Sequence, residues 1–95
     1  MARYFMNLHD CGTLIADEEG LELTGLDEAR RAAVRAARDV MCADVAEGTL
    51  CLASYIDVLD ESGASVVRVP FGEAIEVTGV SVSRKPVLAS VDAQA

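Results

Sequence analysis

The chain has 95 residues, enough for one domain and one hydrophobic core. Apolar side chains make up 52% and aromatic ones only 4%, so the core is built from Val, Leu, Ile and Ala, and a wholly disordered chain is excluded. Eight basic residues against sixteen acidic ones give a net charge of −8. This repels phosphate and anionic lipid, which argues against nucleic acid and membrane partners and leaves room for a basic protein partner.

The N-terminus lacks the apolar run of a signal peptide, and no stretch approaches the ~20 apolar residues of a membrane span. The expectation is a cytoplasmic protein with reduced thiols. Its cysteines, Cys11, Cys42 and Cys51, cannot all pair within one chain and show no CxxC spacing.

In chain order, residues 3 to 9 alternate: Tyr4, Met6 and Leu8 face one way, and Arg3, Phe5, Asn7 and His9 the other. That is a half-buried strand. Asp10-Cys11-Gly12 is a turn, and Thr13 to Ala16 a short return strand closed by Asp17-Glu18-Glu19-Gly20. Thr24 with Asp27 has capping-box spacing. Leu26, Ala29, Ala33, Ala36, Ala37, Val40 and Met41 then form one helical stripe, opposite Glu28, Arg31, Arg35, Arg38 and Asp39, and Gly48 ends it. The spacing predicts a helix from Gly25 to Glu47.

Leu50 to Leu59 reads as a strand, Asp60 to Gly63 as a hairpin loop, and Ala64 to Val69 as the returning strand stopped by Pro70. Residues 72 to 78 suit either a helical turn or another strand. Val80 to Ala95 is rich in Ser and Val with a Lys85-Pro86 break, and its end is expected to fray. The predicted fold is α+β in the order β-β-α-β-β, with one long helix on one face of a small, mostly antiparallel sheet. The domain spans 1–78 and the tail 79–95.

Four strands make a sheet about 19 Å wide, whereas one helix covers about 10 Å. Part of the sheet is therefore expected to stay bare, with Phe5, Cys51, Ala53 and Tyr55 as apolar candidates for an interface. A self-associating dimer is the simplest consequence.

His9-Asp10-Cys11 is where an imidazole, a carboxylate and a thiol meet. A nucleophilic thiol needs a base in reach and an orienting group behind it, but on a strand His9 and Cys11 share one face and Asp10 takes the other. As a local metal site the trio falls short of the four ligands of structural zinc. Asp17-Glu18-Glu19, with Asp10 nearby, lacks the spacing of a calcium loop and reads as a solvated turn. Arg31, Arg35 and Arg38 share a helix face that could take phosphate, but Asp27, Glu28 and Asp39 stand at pairing distance along the helix. Arg30 lies nearer the apolar stripe. No GxGxxG, Walker, GxSxG or HExxH sequence occurs. The expectation is a non-enzymatic interaction domain without metal or cofactor, with a metal or thiol role for His9, Asp10 and Cys11 as a lesser alternative.

Arg3-Tyr4-Phe5, Leu8-His9-Asp10, Gly12 and Asp17-Glu18-Glu19-Gly20-Leu21-Glu22-Leu23 together resemble a family of small bacterial proteins whose domain is of unknown function. Leu26-Asp27-Glu28-Ala29, Asp60-Glu61 with Gly63, and Val69-Pro70-Phe71 extend the resemblance over about residues 2 to 78. Cys11 stands where that family suggests Gly or a polar residue, which implies that no thiol function is shared across it. The resemblance carries over no catalytic residue. The β-β-α-β order and Leu26-Asp27-Glu28-Ala29 are also similar to the N-terminal domain of HicB-type antitoxins, which would imply an acidic cap for a small basic partner. The segment after Phe71 departs from that pattern, being short and poor in basic residues for a DNA-binding module.

Overall fold

Strand β1, Ala2–Asp10, is the organising element of the computed structural model, which describes residues 1–79. One of its edges pairs antiparallel with β4, Tyr55–Leu59. The other edge is shared by two short strands: β2, Thr13–Ile15, pairs with Leu8 to Asp10, and β3, Leu21–Leu23, pairs with Ala2 to Tyr4. β5, Ser65–Pro70, completes the path β2-β1-β4-β5. The α+β class holds, with the order β-β-β-α-β-β rather than β-β-α-β-β. β3 escapes a periodicity argument because three residues are too few to show a period, and it exists as a strand by pairing with the far end of β1.

The gap on this edge is filled by side chains. The Asp17 carboxylate accepts the Met6 N–H at 3.0 Å through Oδ2, and Asn7 Oδ1 accepts the Asp17 N–H at 3.0 Å. The bridging turn thus satisfies backbone that neither short strand reaches. Gly20 crosses β1 closely at φ 75°, and a Cβ there would lie 2.9 Å from the Tyr4 carbonyl oxygen.

Helix α1, Leu26–Ala46, falls within a residue of each expected end. Its start is not the Thr24–Asp27 capping box. Instead Glu28 Oε1 accepts both the Thr24 N–H and the Thr24 hydroxyl at 2.8 Å, because Gly25 is the N-cap and Glu28 is therefore the third helical residue. The C-terminus is a Schellman motif: Thr49 N–H donates to the Asp44 carbonyl and Gly48 N–H to that of Val45, with Gly48 at φ 90°. Ala29, Ala33 and Ala37 are fully buried, so the helix lies close on Ile56, Val58, Val67 and Val69. Leu26 is exposed, outside the stripe expected to hold it.

The Leu50 to Leu59 strand is shorter than expected, since only Tyr55–Leu59 is strand and residues 50–54 form a loop. Cys51 in that loop is disulfide-bonded to Cys11, and the buried Ser54 turns into β4 by donating its N–H to the Cys51 carbonyl. Residues 71–74 form a helical turn, α2, Phe71–Ala74, with Phe71 fully buried. Arg38 Nε donates to the Ala74 carbonyl at 2.7 Å, which ties α1 to α2. The Ser- and Val-rich segment 80–95, expected as a tail, lies outside the described residues.

Candidate functional site: the uncovered sheet face

Both helices pack on the face of Tyr4, Met6, Leu8, Ile56, Val58, Val67 and Val69. Among the described residues no element packs on the opposite face. There, cross-strand register aligns side chains into rows. Leu14, His9, Tyr55 and Pro70 stand side by side on β2, β1, β4 and β5. At about 4.8 Å per strand this row is about 14 Å long. His9 and Tyr55 stack with ring centroids 4.4 Å apart at 10°, and the Arg68 guanidinium lies over the Tyr55 ring at 4.5 Å.

The next row is polar: Asn7, Asp57 and Arg68. Asp57 is 9% exposed and accepts the Ser65 hydroxyl at 2.5 Å, with Arg68 4.0 Å from its other oxygen. Beyond it lie Phe5, Leu59 and Ser65, and then the Arg3–Glu22 ion pair at 3.0 Å. Opposite charges therefore alternate across the face beside an apolar row.

A one-residue bulge places these groups. Leu59 pairs with Ser65, but Val58 pairs with Val67, leaving Val66 extra. Without it, Arg68 would point at the helix and Val67 and Val69 at solvent, because each strand position alternates faces. Alternation along β1 already put His9 on the side of Phe5, but sequence reasoning missed Arg68 as a face residue, since an unbulged hairpin through Asp60 to Gly63 predicts the other parity for it. Of the expected interface residues, the structure brings Phe5 and Tyr55 onto this face. Cys51 and Ala53 lie in the loop ahead of β4.

His9, Asp10 and Cys11 do not converge. His9 stacks on Tyr55, whereas Asp10 accepts the Ser54 hydroxyl at 2.8 Å on the far side of the strand. Cys11 leaves the strand at φ 48° and is bonded to Cys51, which corrects the expectation of reduced thiols. Cys42 is free and exposed. Among the described residues no group of three or more metal-ligating side chains gathers in one place.

The acidic turn is structural. Burial works to raise the Asp17 pKa, but the N–H groups of Met6, Gly20 and Glu19 and the charge of Arg3 outweigh it, so the carboxyl lies below the usual aspartate value. Asp60 is lowered in the same way, first by the Ser62 hydroxyl and then by the Ala64 N–H. Glu28 is lowered by the Thr24 N–H and hydroxyl. On the helix flank, Arg31 and Arg35 border a shallow groove beside Leu21 and Leu23, while Arg38 is held by Ala74. Among the described residues neither Arg31 nor Arg35 comes within 4.0 Å of a carboxylate, so the ion pairs expected along the helix are not made.

These features define an α+β domain with one helical layer on an antiparallel sheet whose other face carries no further element among the described residues. The chain belongs to the family described as Domain of unknown function (DUF6894), which it matches over residues 3–72. Comparison with curated proteins and with solved structures gave no match. No helix among the described residues is long and apolar enough to cross a membrane.

Proposed function

We propose that the domain is a non-catalytic interaction module that self-associates through its uncovered sheet face. The cross-strand row Leu14, His9, Tyr55 and Pro70 carries this reading. It is a continuous apolar and aromatic stripe on a face that no described element covers, and Leu14 is 56% exposed. The flanking charges favour a second copy over a basic partner. Although the chain is acidic as a whole, Arg3 and Arg68 on this face balance Glu22 and Asp57. A two-fold contact sets such a surface against itself with opposite signs facing. A non-catalytic role is supported by the engagement of His9, Asp10 and Cys11 in stacking, hydrogen bonding and a disulfide.

Sedimentation equilibrium from low to high micromolar tests this. The expected result is a shift from 10.0 kDa toward twice that mass, abolished by Tyr55→Asp or Leu14→Asp. A monomer throughout the range overturns the reading. So does a mass in native spectrometry that comes from a basic second protein and leaves no homodimer, since that outcome assigns the face to an acidic-cap role.

A further inference from the structure

The Cys11–Cys51 bond joins the tip of the β1–β2 turn to the loop that enters β4, forty residues on. Its surroundings are held in place independently of the bond. Two residues before Cys11, His9 stacks on Tyr55. One residue before it, Asp10 accepts the Ser54 hydroxyl. The Ser54 carbonyl in turn accepts the Phe71 N–H at 2.8 Å, anchoring the loop's exit in the core. None of these contacts runs through either sulfur, so none of them requires the bond. Cys11 is exposed and Cys51 half-buried, so an incoming thiol meets Cys11 first.

We propose that Cys11–Cys51 is a reversible thiol–disulfide exchange site for a dithiol reductant. Its opening frees the 49–54 loop at Cys51 and leaves the sheet in place. The reductant thiolate attacks Cys11 Sγ, and the protein S–S bond breaks as a new S–S bond forms. Cys51 leaves as a thiolate and takes up a proton. The reductant's second thiol then attacks the mixed disulfide, releasing Cys11 as a thiolate that is also protonated. Two electrons pass to the protein and the reductant becomes a cyclic disulfide.

The loop is what changes. Leu50 and Leu52, already 45% and 40% exposed, lose their covalent tether, while Ser54 keeps its place. The exchange is independent of self-association.

The test uses the full chain with Cys42→Ser, which removes the free thiol from the count. The protein is equilibrated in mixtures of reduced and oxidised dithiothreitol, quenched by alkylation and weighed. The expected result is interconversion between no alkylated thiols and two, with one midpoint approached from either direction. Amide signals of residues 49–54 should move on reduction, and those of β1, β4 and β5 should persist. Resistance to reduction until the chain is denatured overturns the proposal, as does failure of the thiols to pair again in the oxidised mixture. The Cys11→Ser, Cys51→Ser double variant provides the second measurement. It should keep the sheet signals and ignore reductant, and loss of the sheet in that variant would show a structural staple in place of an exchange site.

Discussion

Asp17 is the residue on which the β1 edge turns. Both carboxylate oxygens are used, Oδ2 by Met6 and Oδ1 by Glu19 and Gly20 at 3.0 to 3.1 Å. Asp17→Asn replaces one acceptor oxygen by a donor, which must then face a backbone N–H. The expected cost is about 1–2 kcal/mol, read from urea midpoints at neutral pH. A pH signature accompanies it. The folded carboxyl is harder to protonate than the unfolded one, so its contribution is complete above the unfolded pKa of about 4 and is lost as pH falls through the lower folded value. Asp60 and Glu28 act in the same direction. The natural chain should therefore lose stability below about pH 4 more steeply than Asp17→Asn, and parallel profiles would refute the assignment. Nothing in Asp17-Glu18-Glu19-Gly20 alone distinguishes this role from a solvated turn, because the partners that decide it, Asn7 and Met6, lie ten and eleven residues away on β1.

At the scale of elements, α1 was readable because its stripe repeats over 21 residues and its Gly48 stop is local. The β4–β5 hairpin was readable as a hairpin but not in its parity. Val66 decides that parity, and a bulge is a property of two strands in register. Deleting Val66 should force Val67 and Val69, now 7% and 2% exposed, toward solvent and Arg68 toward Ala33 and Ala37. Losing two buried valines costs about 3–6 kcal/mol, comparable with a small domain's whole stability of about 5–15 kcal/mol. Val66→Ala keeps the extra residue and should cost about 1 kcal/mol. Thermal melts followed by circular dichroism separate the two cases, and an equal effect of both variants would deny the bulge its role.

For the molecule as a whole, the disulfide closes a ring that contains β2, β3 and all of α1. Loop-closure entropy for a separation of 40 residues gives about 4 kcal/mol. Reduction should therefore lower the melting temperature by roughly 15–30 °C while leaving the chain folded at room temperature. Calorimetry with and without reductant measures this, and an unchanged melting temperature would show that the ring closure adds nothing. Three cysteines allow three pairings, and choosing among them takes a fold that brings Cys11 and Cys51 to a Cα separation of 6.6 Å.

Periodicity and chemistry within single segments are enough to read the strand from Arg3 to His9, the long alanine-lined helix, the α+β class and a mostly aliphatic core, to which the fold adds Tyr4, Met41 and Phe71. The sequence also implied a sheet wider than its helix. Contacts across the fold are what make β3 a strand, let Asp17 complete an edge, draw Cys51 out of the sheet to bond Cys11, and align Leu14, His9, Tyr55 and Pro70 in one row. Each of those facts is a relation between segments far apart in the chain, and the place of Pro70 in that row depends further on the one extra residue at Val66.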